Sequence, residues 1–268
     1  MYVGIDVGTS VVKAAAFDGE GRQLAVESRP VELSLRGGFV EQDMEEVYDA
    51  VVDVLATLTG RVPEPVELAG LTGQGDGVWL VDKEGRPVRS AVSWMDGRAH
   101  ELLDQWLADG TFETVFRRTG GAMFPGSPGP LLAWLDRYDP KSLEAAAAAV
   151  YCKDMVFQRL TGAVRATTDV SDASMPFLDP RTRTYDNRVV ELLGLTRRRR
   201  LLAPVADPIA TGETRGAGLP SGTRLSNGPY DLPACALGAG GRLAGRRAAD
   251  RGHVPRRAGR HDRAGSER

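Results

Sequence analysis

The stretch "GIDVGTSVVK", residues 4–13, indicates how the chain begins to fold. Two apolar runs flank the short polar segment "GTS", and a further break, "DGEG", precedes a third run. Glycine and small polar residues between short apolar runs are typical of hairpin turns. The predicted opening is therefore a β-meander rather than a strand followed by a helix, with strands over residues 2–7, 11–17 and 23–28.

The first hairpin carries groups that suit the terminal phosphates of a nucleotide. Glycine lets backbone amides approach an anion, hydroxyls add donors, and a nearby carboxylate can hold Mg²⁺ through water. The groups in question are Asp6, Gly8, Thr9 and Ser10. An ordinary β-turn is the alternative, because the stretch is neither a P-loop nor a dinucleotide-binding fingerprint.

The rest of the chain alternates helical and extended patterns, which predicts an α/β fold. The stretch "EQDMEEVYDAVVDVLATL" has apolar residues at helical spacing behind an acidic first turn, and Gly60 with Pro63 ends it. Glycines in the following segment come where short strands end, the usual place for ligands in α/β proteins. Further helices are predicted around residues 101–107, 131–138, 143–150, 154–160 and 188–193.

The composition is that of an ordinary soluble globular protein. The 268 residues are 42% hydrophobic and 26% charged, with a formal net charge of -2. No basic field therefore favours a specific nucleic acid partner. The sequence has only two cysteines, and neither a signal peptide nor a long apolar span is evident. We expect a cytoplasmic protein without a membrane partner.

Two loops offer groups for a polyhydroxylated ligand, whose hydroxyls each need a paired donor or acceptor after desolvation. The loop "GQGDG" contains Gln74 and Asp76, and the segment "SWMDGRAHE" contains Trp94, Asp96 and Arg98. Amide, carboxylate and guanidinium groups beside an aromatic face suit a sugar or polyol. The alternative is that the two aspartates form turns and the tryptophan lies in the core.

Asp231 in "NGPYDLPACALGAG" lies between a turn and a predicted helix start. Its carboxylate could accept the proton of a substrate hydroxyl that attacks a phosphoryl group. A helix N-cap is the competing interpretation, and both can hold at once. Two other charged features are interpreted as ordinary surface charge. The "RRRR" at 197–200 is a solvated run, and Lys153 with Asp154 is a surface pair.

Four motifs together resemble the FGGY carbohydrate kinases in order and spacing. They are "GIDVGTSVVKAAAFDGEGR", "GLTGQGDGVWLVDKEGRPVRSAVSWMDGRA", "KDMVFQRLTG" followed by "TDVSDAS", and "GLPSGTRLSNGPYDLPACALGAG". The resemblance implies an actin-like ATPase architecture of two ribonuclease-H-like domains, with a mixed sheet, flanking helices and a cleft where sugar and ATP meet. It implies transfer of the γ-phosphoryl group of Mg·ATP to a sugar or polyol hydroxyl.

The resemblance also implies roles for the candidate residues. Asp231 would be the catalytic base, and Asp6 would hold the metal. The phosphates would face Asp6, Gly8, Thr9 and Ser10, and the sugar would lie near Gln74, Asp76, Trp94, Asp96 and Arg98. The "GQGDG" loop departs from the "GQMHG" of D-xylulose kinases, which favours an L-xylulose-type ketose or erythritol as the substrate. A non-catalytic sugar-binding or regulatory module is the alternative function, and a homo-oligomer remains open.

The resemblance extends from residue 1 to about residue 240, which we expect to form the N-terminal domain. A second domain of similar size would follow Asp231 in this family, whereas residues 241–268 hold nine arginines against three acids. We expect a frameshift to explain this change. The resemblance implies that a strand like "GDGLLIVGTS" continues the family's chain at this point, and one G+C-rich coding of it, read one base out of frame, yields Ala-Ala-Asp-Arg-Gly-His-Val, the sequence of residues 248–254. We expect this Arg-rich tail to be disordered and the truncated product to have doubtful activity.

Overall fold

A computed structural model describes residues 1–173, 176–206 and 209–240. A six-stranded mixed sheet forms the centre of the protein. Its strands are β1 (Tyr2–Val7), β2 (Val11–Phe17), β3 (Gln23–Pro30), β6 (Leu68–Gly73), β14 (Ala210–Glu213) and β15 (Arg224–Asn227), in the order β14-β15-β6-β1-β2-β3. β1 pairs antiparallel with β2 and parallel with β6, and β6 pairs parallel with β15. The predicted β-meander is confirmed, with β3 two residues longer than expected.

The remaining strands form small sheets around this centre. They are β4 (Ser34–Arg36), β5 (Phe39–Gln42) and β8 (Ala91–Val92); β7 (Trp79–Val81) with β9 (Ala148–Val150); β10 (Thr168–Asp169) with β13 (Val205–Ala206); and β11 (Leu178–Asp179) with β12 (Thr184–Tyr185). The helices are α1 (Met44–Arg61), α2 (His100–Ala108), α3 (Thr111–Thr119), α4 (Pro128–Tyr138), α5 (Pro140–Ala145), α6 (Cys152–Thr161), α7 (Val170–Ala173), α8 (Asn187–Leu192) and α9 (Asp231–Gly238). A 3₁₀ helix covers Thr196–Leu201.

Helix α1 covers one face of the central sheet, as its pattern predicts. The side chain of Asp43 caps its first turn by accepting hydrogen bonds from the amides of Glu45 and Glu46. The four apolar residues at helical spacing are all buried: Val47, Val51, Leu55 and Leu58. They pack with α6 against the alternate inward residues of β1 and β2 in one apolar core. A second core joins α2, α3, α4, α5 and α8.

Two predictions about local structure are wrong. The helix expected over residues 143–150 ends at Ala145, and Ala148–Val150 pairs antiparallel with β7 instead. The edge of β7 offers backbone partners, so tertiary pairing overrides the helix propensity of the alanines. The arginine run at 197–200 is only partly solvated: Arg198 pairs with Asp136 at 2.6 Å, and Arg200 donates to the carbonyl oxygens of Leu143 and Ala146.

None of the helices among the described residues combines the length and apolar character that crossing a membrane requires. The prediction of a disordered tail over residues 241–268 lies outside the described residues.

Candidate active site

Three parallel strands bring separate parts of the sequence to one edge of the sheet. β1, β6 and β15 are neighbours and run in the same direction, so their carboxyl ends meet. Each is followed by one of the predicted motifs, at residues 8–10, 74–77 and 228–231. This edge is the usual location of ligands in α/β folds. The topology therefore brings three predicted segments together: the phosphate loop at residues 8–10, the first sugar loop at 74–77, and the segment of the proposed base at 228–231.

A chain of hydrogen bonds links the phosphate loop to both sugar loops. Trp94 Nε1 donates to Thr9 Oγ1 at 2.9 Å, and Thr9 Oγ1 donates to Gln74 Oε1 at 3.2 Å. Gln74 Nε2 in turn donates to Gln42 Oε1 at 2.9 Å, and Gln42 Nε2 donates to the carbonyl oxygen of Thr9 at 2.9 Å. The buried Gln42 closes this ring, and sequence reasoning missed it. The alternative of a core tryptophan is wrong, because Trp94 is 41% exposed.

The carboxylate of Asp231 lies within electrostatic reach of both Asp6 and Asp76 at this edge. Burial raises the pKa of Asp6, the charge of Asp231 raises it further, and Lys13 opposes both effects. Burial, followed by the charge of Asp231, raises the pKa of Asp76 to about 6. Asp6 Oδ1 and Asp76 Oδ1 are both buried without a hydrogen-bond partner among the described residues. The arrangement has excess negative charge and unsatisfied oxygens, which a cation could neutralise.

The backbone around Asp76 is tightly constrained. Asp76 has a φ of 56°, in the left-handed region that costs most residues about 1 kcal/mol and that aspartate tolerates better than most. The ring of Tyr230 packs on Gly75 so closely that a Cβ there would lie 2.6 Å from a ring carbon. A glycine is thus required at this contact. Asp76 lies in a bend, and the charge of Asp231 acts on its carboxylate.

Asp96 and Arg98 form a buried clamp instead of open ligand groups. Arg98 Nε and Nη2 donate to the two carboxylate oxygens of Asp96 at 2.8 and 2.9 Å. Asp96 Oδ2 also accepts from the amide of Val40 at 2.6 Å, and Arg98 Nη2 donates to Glu41 at 2.8 Å. The guanidinium lies 4.3 Å from the ring centre of Phe39. The pair therefore fixes the segment of Trp94 against β5, and direct sugar contact by these two residues stays a prediction.

Asp231 begins helix α9 and is half-buried. Tyr230 occupies the N-cap position, so the interpretation of Asp231 as the N-cap is wrong. Asp231 Oδ1 accepts from the adjacent amide of Leu232 at 2.7 Å, and its charge raises the pKa of both Asp6 and Asp76. Its carboxylate thus faces the same space as theirs.

Gly8 and Ser10 complete the phosphate loop. A Cβ at Gly8 would lie 2.8 Å from the carbonyl oxygen of Val11, so a larger residue would distort this turn. Ser10 is exposed, and its carbonyl oxygen accepts from the amide of Val31 at 3.0 Å. The loop is therefore fixed through its backbone, while the Ser10 hydroxyl faces solvent.

The interpretation of Lys153 and Asp154 as a surface pair is wrong. Lys153 is fully buried at the start of α6, and its Nζ lies 2.8, 2.6 and 2.8 Å from carboxylate oxygens of Asp154, Asp169 and Asp172. These three acids could also group around a metal ion, but the lysine ammonium already provides the positive charge. The available signal was a lysine beside an aspartate in "KDMVFQRLTG", followed by two aspartates in "TDVSDAS".

Residues 1–236 match the FGGY family of carbohydrate kinases, N-terminal domain. The chain belongs to this family. Among FGGY relatives, it is 38% identical to an erythritol kinase from Brucella abortus over 250 residues, which are 90% of this chain and 48% of the relative. It is 30% identical to an L-xylulose/3-keto-L-gulonate kinase from Escherichia coli over 249 residues, covering 89% of this chain and 50% of the relative. The chain spans about half the length of these relatives.

Solved FGGY structures confirm the predicted fold. A ligand-bound xylulose kinase from Lactobacillus acidophilus matches with a TM-score of 0.82 at 23% identity, over 89% of this chain and 50% of that one. A xylulose kinase from Rhodospirillum rubrum matches with a TM-score of 0.80 at 26% identity, over 89% and 50% respectively. The protein has the actin-like ATPase fold of sugar kinases, and it matches half of each of those chains.

Proposed function

We propose that this FGGY chain is the sugar-binding and phosphate-binding part of an ATP-dependent kinase, with residues 1–240 as its first domain. The phosphoryl acceptor is a hydroxyl of a four-carbon polyol or a five-carbon ketose. The observation that supports this most directly is that Asp231 lies within electrostatic reach of both Asp6 and Asp76, at the edge of the sheet that also carries the phosphate loop. The names of the relatives support erythritol or an L-xylulose-type substrate.

Asp231 is the proposed general base. Its carboxylate lies close enough to Asp6 and Asp76 to raise their pKa values, so it faces the space between the phosphate loop and the sugar loop. A carboxylate there accepts the proton of the attacking hydroxyl while that hydroxyl is held against the phosphoryl group. The family membership supports the same role.

The polyol hydroxyls have suitable partners among the predicted residues. The carboxylate of Asp76 accepts hydrogen bonds, and the exposed face of Trp94 packs against carbon-bound hydrogens. Gln74 holds the side chains of Thr9 and Trp94 in position through the hydrogen-bond chain. Asp96 and Arg98 influence sugar binding indirectly, because they fix the segment that carries Trp94.

The residues also fit the groups that the family implies, ATP and Mg²⁺. Asp6 has a buried, unpartnered oxygen and a raised pKa, which a divalent cation would reverse. Asp6 would hold Mg²⁺, which supplies charge neutralisation for the phosphates. Gly8, Thr9 and Ser10 present amides and hydroxyls to the terminal phosphates. We propose a reducing cytoplasm as the compartment, consistent with the free thiols of Cys152 and Cys235.

Calorimetric titration of erythritol, L-xylulose, D-xylulose and glycerol tests the substrate class. We expect erythritol or L-xylulose to bind most tightly. Trp94→Phe keeps the ring but loses the donor to Thr9, and should weaken that binding about fivefold, the size of one hydrogen bond. Met95→Ala is the control, since this neighbouring side chain is exposed. Absence of polyol binding, or equal weakening by both variants, would contradict the proposed site.

Polyol-dependent release of ADP from Mg·ATP tests the reaction. Asp231→Asn should abolish this release while polyol binding persists, because the variant removes the proton acceptor and little volume. Polyol binding by the unaltered chain without any ADP release would instead support the sugar-binding module. Unchanged release in Asp231→Asn would exclude Asp231 as the base.

A further inference from the structure

The side chain of Asn227 links the buried cluster around Lys153 to the candidate active site. Asn227 Nδ2 donates to Asp154 Oδ1 at 2.7 Å, and both residues are buried. Asn227 is the last residue of β15, four positions before Asp231. The hydrogen bond therefore joins helix α6 to the point where the segment of the proposed base leaves the sheet.

The acceptor of this bond is held from two sides. Asp154 Oδ2 accepts from the amide of Tyr151 at 3.3 Å, which closes the first turn of α6. Asp154 Oδ1 lies 2.8 Å from the Lys153 Nζ, and this ammonium is fully buried. A buried charge without a partner is strongly disfavoured, so the lysine holds its carboxylates in place. The position of the Asn227 side chain is fixed in turn.

Two hydrogen bonds also attach the segment after Asn227 to β6. The amide of Gly228 donates to the carbonyl oxygen of Leu71 at 2.7 Å, and Thr72 Oγ1 donates to the carbonyl oxygen of Pro229 at 2.7 Å. These bonds hold the segment along the sheet. The Asn227 hydrogen bond attaches the segment to α6 as well, in a different direction from the bonds to β6. Together these bonds fix the angle at which the chain leaves β15.

Position 227 requires a hydrogen-bond donor. An aspartate there would face the Asp154 carboxylate across 2.7 Å, where two negative charges repel. Asn227 Oδ1 has no partner among the described residues, so the amide acts through its donated bond alone. The chemistry of the contact thus matches a tether rather than a ligand group.

We infer that Asn227, held by Asp154 and Lys153, is a positioning residue that sets the distance between the carboxylate of Asp231 and that of Asp76. This inference rests on the proposed function, because the distance between the two carboxylates matters for the reaction only if Asp231 is the general base. The contacts themselves are independent of any reaction.

The titration of Asp76 provides a readout that needs no activity. Carboxyl ¹³C NMR on the full chain follows Asp76 across pH in wild type, Asn227→Ala, Asp231→Asn and Ser226→Ala. Asp231→Asn removes the neighbouring charge, so the pKa of Asp76 should fall. Asn227→Ala should lower the pKa of Asp76 by a smaller amount, because the freed Asp231 segment moves away from Asp76 and water enters. Ser226→Ala changes the preceding residue on the other face of β15 and should leave the titration unchanged.

Several results would overturn the inference. A titration of Asp76 that Asn227→Ala leaves unchanged, with only a lower melting temperature, would make Asn227 purely structural. An unchanged titration in Asp231→Asn would mean that the two carboxylates do not interact, and an equal shift in Ser226→Ala would mean that any change in β15 suffices. If Asn227→Ala does not fold, Asn227→Ser replaces it, because a serine hydroxyl is too short to keep the bond. Failure of ADP release in wild type bears only on the proposed function, since the titration is read without nucleotide.

Discussion

Asp76 is the residue whose environment departs most visibly from that of a free aspartate at the candidate site. Its backbone is left-handed, its Oδ1 is buried without a partner among the described residues, and its pKa is raised to about 6. Burial is the main cause, and the charge of Asp231 adds to it. A neutral Asp76 can donate a hydrogen bond and an ionised one can only accept. In the proposed polyol complex, the hydrogen bonding of this group would therefore change near pH 6.

The stability of the protein should fall as Asp76 ionises. The native carboxyl holds its proton more tightly than the unfolded one, whose pKa is 3.8, so unfolding releases protons between the two values. The free energy of unfolding, compared with that of Asp76→Asn, should thus decrease from pH 4 to pH 7 by up to about 3 kcal/mol. Urea denaturation across this range measures it. A constant difference between the two proteins would show that the Asp76 pKa is not raised.

At the scale of elements, the Asp96–Arg98 clamp connects two parts of the fold that are distant in sequence. Asp96 accepts from the amide of Val40 in β5, and Arg98 reaches Glu41 in the same strand. The side chains of Asp96 and Arg98 are 0% and 2% exposed. The segment that carries Trp94 is consequently held against the small sheet rather than free in solvent.

Arg98→Ala should destabilise the protein strongly, because it leaves the Asp96 carboxylate buried without its cation. Breaking a buried pair from one side costs about 3–5 kcal/mol. The matched control is Arg117→Ala, which removes an arginine from an exposed pair with Glu113 on α3 and should have little effect. Urea denaturation at pH 7 compares the two variants. Equal losses would mean that the clamp contributes no more than a surface pair.

The elements that sequence predicts correctly are those whose own periodicity matches their burial. The strands β1 and β2 alternate, and α1 places Val47 and its apolar partners on one face, so local pattern and tertiary packing agree. The alanines at 148–150 have no such pattern, and pairing with β7 decides their structure. Lys153 and Gln42 were missed because their role depends on partners far away in sequence.

At the scale of the whole molecule, one face of the central sheet has little cover. α1 and α6 pack on the other face. Between this face and α9 lies a cavity of about 440 Å³ whose lining includes Phe17, Val26 and Leu237. Val26 is 47% exposed and Leu237 is 36% exposed. Contiguous apolar surface of this kind favours association.

We expect the chain to associate in a concentration-dependent way through this face. Val26→Lys places a charge in the middle of the exposed strand β3 and should shift the chain towards monomer in sedimentation velocity. Val164→Lys is the control, since Val164 is 87% exposed in the loop after α6 and does not line this cavity. A monomeric wild type, or an equal effect of both variants, would contradict association through the sheet face.

The two cysteines differ so much in depth that they can report separately on motion of the protein. Cys152 is fully buried with Sγ 3.9 Å from the carbonyl oxygen of Val7, and burial raises the pKa of its thiol well above the usual range. Cys235 is exposed on α9. An alkylating reagent should therefore modify Cys235 at once and Cys152 only when α6 separates from the end of β1. A phosphate ligand bound to the loop after β1 should slow the second reaction alone, as mass spectrometry of timed samples would reveal.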